Sequence, residues 1–354
     1  MAGENILLIK LSALGDVIHT LPALTTLRRH RPDARITWLA EEGFADLLRG
    51  HPALDRLIVW RRGVFQRALR DGRLLAACAE FRRCARELRD TSYDLAVDFQ
   101  GLAKSALWIT LARARRKVGY GPGNRRNELA HLALTERVPV TDPGAHAVER
   151  NLRLLAGLGF PRLPLRHDLP VPPEAEDEAG ALLAERGLGG GARFAAAGVM
   201  TRWPTKNWTP AGFAAVADRL AAAGLPAVFT GAAGDRAALD AIAALMRTPM
   251  RRVDGRTPLA TLAALLRRAR VMLSTDTGPM HLAAAVGTPV VALFGPTDPG
   301  YTGPHGDGHV VLRAGVPCSP CFRRECRLPR HEQFACMTRL DPAAVAEAVL
   351  ARAG

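Results

Sequence analysis

The sequence predicts an α/β protein built from two doubly wound domains, each a parallel sheet covered by helices. Short apolar runs alternate with helical segments along almost the whole chain, which is the pattern of parallel β-α-β units. The alternation stops near residues 160–190, a stretch rich in proline, acid and glycine, and then restarts. The length of 354 residues also suits two domains better than one.

In the first domain, assigned to residues 1–170, short apolar runs bounded by polar or small residues predict buried strands. These strands cover residues 5–11, 34–42, 55–60, 94–100 and 117–121. Apolar residues recur at helical spacing between them. The helices predicted on that basis cover residues 17–30, 44–49, 64–90 and 104–114.

The second domain, assigned to residues 171–340, repeats the alternation, and a C-terminal helix follows at 341–354. Its predicted strands cover residues 192–199, 225–231, 269–276 and 288–295. Its predicted helices cover residues 211–224, 235–247, 259–269 and 279–287. Ligands bind beyond the carboxyl ends of parallel strands, so the strand-to-helix junctions are where a site is expected.

Composition narrows the class of protein. With 48% apolar and 23% charged residues, the chain is expected to be globular rather than disordered. It lacks an uncharged apolar run long enough to span a bilayer, and its start lacks a signal-peptide pattern, so a cytoplasmic location is expected. The net charge of +14 favours a polyanionic partner, whether nucleic acid, acidic membrane or anionic substrate.

The first candidate junction follows the first predicted strand and has the sequence SALGD. Gly15 allows a close backbone approach, and Asp16 stands where the next helix begins. An aspartate in that position is either an ordinary helix cap or a carboxylate able to accept a proton from a hydroxyl. The residues alone leave both interpretations open.

The second junction, TRWPTKNW at residues 201–208, offers hydroxyls, two cations and two indole rings. An ordinary polar loop whose tryptophans pack on the next helix is the simpler interpretation. Lys206 favours a functional role, because it is one of only four lysines in a chain that otherwise uses arginine. A site that needs a compact point charge resists replacement of lysine by arginine.

The third junction covers residues 274–299. A predicted strand ends at Asp276, and Thr277 and Gly278 lead into a helix whose first turn holds Pro279. Backbone N–H groups and the helix dipole favour an anion there, best matched to a phosphate or diphosphate. His281 falls in the same turn, where it either faces that ligand or makes a structural hydrogen bond.

Four of the six cysteines cluster near the C-terminus: Cys318, Cys321, Cys326 and Cys336. In a cytosolic chain such a cluster suggests a metal more than disulfides. Four thiolates with one C-x2-C pair suit a tetrahedral structural zinc or iron. Reduced thiols and disulfides are the alternatives that remain open.

These motifs give the chain its resemblance to the ADP-heptose:lipopolysaccharide heptosyltransferases of glycosyltransferase family 9. It looks most like the members that add the first heptose to the Kdo region of lipid A. The matching motifs, in order, are LLIKLSALGDVIHTLPAL (7–24), WLAEEGF (38–44), DFQGLAKS (98–105), HAVER (146–150), STDTGPMHLAAA (274–285) and FGPTDP (294–299). Each motif is weak alone, but their order is specific and covers nearly the whole chain.

The resemblance implies a GT-B fold, with two Rossmann-like domains facing a central cleft. The N-terminal domain would take the acceptor and the C-terminal domain the nucleotide-sugar. The implied reaction is inverting and needs no catalytic cofactor. Asp16 would be the general base and Lys206 would neutralise the departing ADP. Residues expected to bind the donor are Thr201, Arg202, Lys206, Asp235, Asp276, Thr277, Gly278 and His281. Residues expected to bind the acceptor are Lys10, Ser12, Arg61, Arg62, Gln100 and Lys104.

The implied partners are ADP-heptose, a Kdo-lipid A acceptor and an anionic membrane surface, with no nucleic acid and a monomeric chain. Basic residues between 60 and 126 agree with peripheral attachment to the inner face of the inner membrane, because cations are attracted to anionic lipid. They include Arg61, Arg62, Arg82, Arg83, Arg125 and Arg126. A solvated helix face is the simpler interpretation of the same residues.

Three alternatives remain open. The cysteine-rich end departs from the best-known heptosyltransferases, so a family 9 transferase for another core sugar or for a protein acceptor is one. A basic nucleic-acid-binding protein with a cysteine metal knuckle is another, although aromatic residues are only 5% of the chain and no recognition motif is evident. The third is an enzyme of the same fold that uses a different nucleotide-sugar, including an epimerase.

Overall fold

The structure is a computed structural model that describes residues 3–121, 130–139 and 141–354. The chain divides into two compact units, Met1–Pro170 and Val171–Gly354. Each unit contains one six-stranded sheet, and all the strand pairings are parallel. Helices connect the strands in both units. The predicted class, two doubly wound α/β domains, is confirmed.

The sheet of the first unit has the strand order β3-β2-β1-β4-β5-β6. Its strands are β1 (Asn5–Ile9), β2 (Arg35–Glu41), β3 (Arg56–Trp60), β4 (Tyr93–Asp98), β5 (Ala114–Tyr120) and β6 (Glu136–Val138). β1 lies between β2 and β4, with Ile9 opposite Leu39 and Asp98. The strand order reverses direction at β1, which places a ligand-binding crevice at its carboxyl end.

Burial on both faces explains the continuous apolar run of β1. Ile6 and Leu8 belong to one buried cluster, whereas Leu7 and Ile9 belong to another on the opposite face of the sheet. The covering helices are α1 (Leu14–Ile18), α2 (Leu21–His30), α3 (Arg62–Arg70), α4 (Leu74–Arg89), α5 (Ala103–Leu111) and α6 (Ala147–Ala156). Short 3-10 helices at 42–47 and 130–133 complete the described part of this unit.

The second unit repeats the same connectivity, because its sheet order is β12-β11-β10-β7-β8-β9. The strands are β7 (Ala195–Gly198), β8 (Ala227–Thr230), β9 (Arg251–Arg252), β10 (Val271–Thr275), β11 (Val290–Leu293) and β12 (Val310–Leu312). The helices are α7 (Pro173–Glu185), α8 (Pro210–Ala222), α9 (Arg236–Ala243), α10 (Leu259–Arg268), α11 (Gly278–Ala285), α12 (Pro299–Thr302), α13 (Ala335–Thr338) and α14 (Pro342–Ala353). Here the order reverses between β7 and β10.

Three element predictions are wrong. The single helix expected at 64–90 is two helices, because Gly72 adopts a φ of +70° and breaks the run between α3 and α4. The helix expected at 17–30 is likewise divided into α1 and α2. The proline- and acid-rich break contains α7, which has proline and acidic residues in its first turn, where both are favoured.

Within the described residues, none of the helices has the length and apolar character that crossing a membrane requires.

Candidate active site

The turn that follows β1 carries the candidate base. Asp16 lies in the first turn of α1, is partly buried, and accepts a hydrogen bond through Oδ2 from the backbone N–H of Ala13 at 3.1 Å. The Ser12–Ala13 peptide bond just before it is cis. The helix-cap interpretation of Asp16 is therefore met in part, since its carboxylate satisfies one N–H at a helix start. That contact does not prevent the same carboxylate from also receiving a proton.

Gln100 fixes the course of this turn. Its Oε1 accepts hydrogen bonds from the backbone N–H groups of Leu11 and Ser12, at 3.1 and 3.2 Å. Gln100 follows β4, the neighbour of β1 at the point where the strand order reverses. The structure thus gives Gln100, predicted to bind the acceptor, a role in bracing the backbone that leads to Asp16.

Two buried ionisable side chains, Lys10 and Asp98, lie near the turn. Lys10 is 7% exposed and donates from Nζ to the carbonyl of Phe99 at 2.8 Å, and burial lowers its pKa, against the raising effects of Asp16 and Asp98. Asp98 is 1% exposed and accepts from two backbone N–H groups and from the hydroxyl of Ser105. Burial raises the pKa of Asp98, and these three hydrogen bonds oppose that shift. Arg150, in the HAVER motif, also acts on Lys10.

A second network surrounds the hydroxyl of Ser12. Lys104 donates to Ser12 Oγ and also pairs with Oε1 of Glu41 at 3.1 Å. The other oxygen of Glu41 lies 3.6 Å from the guanidinium of Arg62. Glu41 was not anticipated, although it ends β2, the other neighbour of β1. The structure therefore brings Ser12, Lys104 and Arg62 together, with Glu41 between the two cations.

Arg61 points to a different partner, since its guanidinium lies 3.8 Å from Glu80 of α4. Arg83 pairs with the same carboxylate and with Glu87. Arg125 and Arg126 of the predicted basic segment lie outside the described residues. With Arg62 beside Glu41, three of the six arginines named for that segment have a carboxylate partner in the structure.

In the second unit, Asp276 holds the candidate leaving-group cation. It is 6% exposed, and its Oδ2 accepts from Lys206 Nζ and from the hydroxyl of Thr297, both at 2.6 Å. Lys206 Nζ also lies 4.6 Å from the centre of the Trp203 ring. Thr297, in the FGPTDP motif, was missed as a site residue, and the only signal for it is its place after β11, next to β10. Lys206 is therefore fixed by an ion pair and a cation-π contact.

The loop that carries Lys206 is held by local hydrogen bonds. Thr201 donates from N to Asn207 Oδ1 at 2.9 Å and from its hydroxyl to the carbonyl of Trp203 at 2.7 Å. The hydroxyl also accepts from Trp203 N at 3.0 Å. Arg202 is exposed, and no hydrogen bond or ion pair joins it to any residue that the structure describes. Thr201 thus shapes the loop, and Arg202 presents a charge at its surface.

The start of α11 offers fewer N–H groups than the sequence suggested. Pro279 has none, and Met280 N donates to the carbonyl of Thr277 at 3.1 Å. Thr277 directs its own hydroxyl to the carbonyl of Met200 at 3.4 Å. This leaves the N–H of Gly278 and the helix dipole for an anion. His281 is 6% exposed, so it belongs to the packed part of the helix.

Asp235 lies in the 3-10 helix at 233–235 beyond β8, partly buried, where its Oδ2 accepts from Ala232 N at 2.8 Å. It sits at the end of a strand that neighbours β7. Its contact is of the same kind as that of Asp16 with Ala13.

The four clustered cysteines are all free thiols, which decides against the disulfide alternative. Burial raises the pKa of Cys336 to about 11, and the other three thiols act in the same direction. Even so, no group of three or more His, Cys, Asp or Glu in the described residues is arranged to hold a metal ion. The structure does not support the predicted zinc or iron site.

Comparison with known proteins identifies the family. The sequence pattern of glycosyltransferase family 9 (heptosyltransferase) matches residues 81–331. The chain belongs to glycosyltransferase family 9. Lipopolysaccharide heptosyltransferase 1 of Pseudomonas aeruginosa is 36% identical over 97% of this chain and 96% of its own length. The Escherichia coli K12 protein of the same name is 30% identical over 88% of this chain and 93% of its own length.

Solved structures of family 9 agree. Escherichia coli heptosyltransferase WaaC with ADP superimposes with a TM-score of 0.76 at 26% identity, covering 98% of this chain and 99% of that one. A second structure, WaaC with ADP-2-deoxy-2-fluoro heptose, has a TM-score of 0.70 at 27% identity, covering 95% and 96%. The predicted resemblance is confirmed, and the fold is that of the GT-B heptosyltransferases. Family 9 membership makes this chain an enzyme, a glycosyltransferase, which decides against the nucleic-acid-binding alternative.

Proposed function

We propose that this enzyme transfers heptose from ADP-heptose to the Kdo region of the lipopolysaccharide inner core. The observation that carries the proposal is the 36% identity, over nearly the full length of both chains, with a lipopolysaccharide heptosyltransferase 1. The structures of a heptosyltransferase with ADP and with an ADP-heptose analogue support the choice of donor.

We assign the donor to the second unit. Lys206 and Arg202 supply positive charge for the diphosphate, and the Gly278 N–H adds the N-terminal end of a helix. A carboxylate repels a diphosphate, so Asp276 is better suited to hold Lys206 and to accept from a sugar hydroxyl. Asp235 suits the ribose hydroxyls. Thr201 and Thr277 set the backbone around these groups, and His281 supports α11 from its packed side.

We assign the acceptor to the first unit. Asp16 takes the proton from the attacking hydroxyl, and Gln100 and Lys10 hold the turn on which it stands. The acceptor carries acidic sugars and phosphates, which suit the cations at Arg61, Arg62 and Lys104. The hydroxyl of Ser12, next to Lys104, adds a donor to the same cluster.

The proposed reaction is a single displacement with inversion. The acceptor oxygen forms a bond to the anomeric carbon as the bond between that carbon and the β-phosphate oxygen breaks. The proton passes to Asp16, and the electron pair leaves with ADP, whose added charge Lys206 offsets. Because a carboxylate is a weak base, proton transfer comes late, when the acceptor oxygen already carries positive charge. Positioned charge of the kind that Lys206 supplies is often the largest contribution to catalysis.

The test is a mass-spectrometric transfer assay with ADP-heptose and Kdo2-lipid A. Asp16→Asn keeps the size of the side chain and removes its basicity. Asp341→Asn is the matched control, because Asp341 also caps a helix through backbone N–H groups, at the start of α14. We expect the heptose mass increment from the wild type and from the control, and its loss from Asp16→Asn.

Other outcomes discriminate between the alternatives. Transfer by Asp16→Asn at the wild-type rate would reduce Asp16 to a helix cap. No transfer by folded wild-type protein would contradict the proposed substrates and direct the assay to other core sugars and to protein acceptors. Hydrolysis or isomerisation of the donor without an acceptor would indicate another reaction class.

We also propose that the enzyme acts as a monomer in the cytoplasm, attached peripherally to the inner face of the inner membrane. The acceptor of the proposed reaction is a lipid, and the first unit carries most of the positive charge. Residues 1–165 contain 27 Lys and Arg against 17 Asp and Glu.

A further inference from the structure

Apolar side chains are exposed where α3 passes into α4. We name residues 66–75 the α3–α4 tip: it comprises the end of α3, the turn at Gly72 and the first two residues of α4. Leu75 is 88% exposed, Leu74 62% and Leu69 44%. The exposure of Leu74 and Leu75 does not come from loose packing, since the rest of both helices packs against the first unit. We propose that the α3–α4 tip inserts into an anionic lipid surface.

The opposite faces of these helices are firmly packed. Phe65 of α3 and Phe81 of α4 both contact the Trp60 ring, with ring centres 5.1 and 6.4 Å apart. Cys84 is buried in the cluster against which both phenylalanines pack, and Ala77 of α4 is buried as well. The exposed leucines are therefore a feature of an ordered pair of helices.

The arginines of the tip are unlike others in the first unit. Arg67, Arg70 and Arg73 are exposed and form no ion pair or hydrogen bond with the side chain of any described residue. Arg83, by contrast, is held by two carboxylates. Asp71 is the one acidic residue among the ten of the tip. The tip thus has net positive charge beside exposed leucine.

Exposed leucine beside unpaired arginine indicates which kind of partner the tip binds. Leucine beside unpaired arginine is the composition of helices that lie in the membrane interface, where apolar side chains enter the acyl region and arginine heads stay with the phosphates. A nucleic acid would match the arginines but not the leucines. A second copy of the chain would bring like charges together across the contact. An anionic lipid leaflet satisfies both parts of the surface.

This inference rests on the proposed function, because a lipid acceptor is what makes attachment useful. Its test measures binding alone, by flotation with vesicles of phosphatidylcholine or of phosphatidylcholine with about 30% phosphatidylglycerol as the anionic lipid. The two variants are Leu74→Ser/Leu75→Ser and Arg67→Gln/Arg70→Gln/Arg73→Gln. The matched controls are Leu245→Ser, at a residue 55% exposed in the second unit, and Arg247→Gln/Arg339→Gln/Arg352→Gln.

We expect the wild type and both controls to float with anionic vesicles and to bind neutral vesicles weakly. Each tip variant should bind anionic vesicles at least about tenfold more weakly, because each loses a share of apolar insertion or of attraction to the phosphates. Equal binding by tip variants and controls would overturn the inference and leave peripheral attachment standing. A wild type that floats with neither kind of vesicle would contradict both the insertion of the tip and the proposed peripheral attachment. A leucine substitution that dissociates a dimer would show that the tip serves self-association instead.

A separate observation in the second unit concerns the cysteine-rich segment, residues 318–336. The hydroxyl of Thr205 donates to the carbonyl of Arg323 at 2.7 Å, which ties the segment to the Lys206 loop. The next residue, Arg324, places its guanidinium carbon 5.0 Å from the centre of the Trp203 ring that also contacts Lys206. We infer that Arg324 is an additional cation for the phosphates of the nucleotide-sugar.

Electrostatics supports this role. Arg324 is exposed and has no ion pair with any residue in the described part of the chain. It lines a shallow surface recess with Arg323, Arg327 and one acidic residue, Glu325, so the recess keeps a net positive charge. Asp276 already pairs with Lys206, whereas Arg324 has no carboxylate partner, so an anion close to the Trp203 ring would gain a new attraction to Arg324. The nucleotide diphosphate carries such charge.

The test compares Arg324→Gln with Arg330→Gln, an exposed arginine of the same segment. Calorimetry should show about tenfold weaker binding of ADP by Arg324→Gln and unchanged binding by the control, as expected for the loss of one charged contact. The KM for ADP-heptose should rise while the KM for the acceptor stays constant. Unchanged ADP affinity in Arg324→Gln would overturn this inference alone, whereas absence of ADP binding by the wild type would contradict the proposed donor.

Discussion

One carboxylate, Asp276, accepts hydrogen bonds from both Lys206 and Thr297. This arrangement predicts that the positioned charge of Lys206 is needed for transfer. Lys206→Met should lower kcat about 100-fold or more, since it removes a positioned charge from the leaving group. Lys117→Met is the matched control, because Lys117 is the one lysine not predicted as a site residue and its Nζ donates to the Thr110 carbonyl at 2.9 Å. The measurement is the steady-state transfer rate of the wild type and of both variants. Equal rates for both variants would contradict the role of Lys206.

A second residue-scale prediction concerns Gln100, which acts on the base through the backbone. Gln100→Leu leaves the N–H groups of Leu11 and Ser12 without their acceptor, which costs about 1–3 kcal/mol for each buried group. We expect lower stability and a lower kcat, because the turn carrying Asp16 is no longer fixed. Gln100→Glu retains an acceptor oxygen and should therefore keep most of the stability and most of the kcat. Loss of activity in Gln100→Leu with an unchanged pH profile would indicate positioning, whereas full activity would remove Gln100 from the site.

Some residues of the candidate site can be predicted from the sequence and others cannot, for a physical reason. Asp16 and Lys206 stand directly after strands, so position alone marks them as candidates. Glu41 and Thr297 become partners only when neighbouring strands pair and their carboxyl ends meet. That proximity depends on sheet order, which a local pattern does not contain. Gln100 was assigned to the acceptor from the family resemblance, and the structure adds that its oxygen accepts from the backbone N–H groups just beyond β1.

At the scale of the element, the glycine of the FGPTDP motif explains how α13 packs beyond β11. A Cβ built on Gly295 would lie 2.5 Å from Met337 Sδ and 2.9 Å from Cys336 Sγ. Met337 is fully buried, so it has little room to move. Gly295→Ala should therefore lower the free energy of unfolding by about 1–3 kcal/mol through overpacking. Gly234→Ala, with nothing within 4 Å, is the control in a urea titration. Equal urea midpoints for Gly295→Ala and Gly234→Ala would show that the side chains around Gly295 adjust to the added methyl group.

A pH dependence follows from His51, which joins two segments of the first unit. Its Nδ1 accepts from Ala53 N at 3.2 Å, so the proton is on Nε2, which faces the carbonyl of His167 at 2.9 Å. Burial lowers the pKa of His51 below its ordinary value of 6.5. The unfolded chain therefore binds this proton more readily, and stability is lost as pH falls below that value.

The loss from one such group is at most about 1.4 kcal/mol per pH unit. Urea unfolding at about pH 7.5 and pH 5.5, a range that spans the ordinary histidine pKa, should show a steeper decline for the wild type than for His51→Gln. His331→Gln is the control, since His331 is exposed. Parallel declines in wild type and His51→Gln would assign the acid sensitivity to other groups.

Elements were predicted best where burial determines composition. β1 was expected because both of its faces are covered and its residues are continuously apolar. The boundary between α3 and α4 was missed, because the arginine-rich periodicity continues across Gly72 and only the positive φ of that glycine reveals the break. Short edge strands such as β9 and β12 were missed as well, since two or three residues are too few to display a pattern.

At the scale of the whole molecule, the two units share one topology. Each begins with the strand that becomes central, and each reverses strand order between its first and fourth strands. The sequence predicted two such domains from alternation and length, but it contained no local sign of the strand order. In this order the chain moves outward from the central strand in one direction and then in the other, so that right-handed crossovers place helices on both faces of the sheet.

The same architecture predicts that the second unit folds independently. One buried cluster of this unit is formed by described residues between Ala195 and Ala353. A fragment of residues 171–354 should therefore unfold cooperatively in urea, because this unit contains a large apolar cluster of its own. It should also retain ADP binding, since Lys206, Asp276 and Arg324 all lie within it. Calorimetry on the fragment and the full chain checks both points. A folded fragment that binds no ADP would show that the first unit contributes to the donor site, and a fragment without a cooperative transition would show that the cores depend on each other.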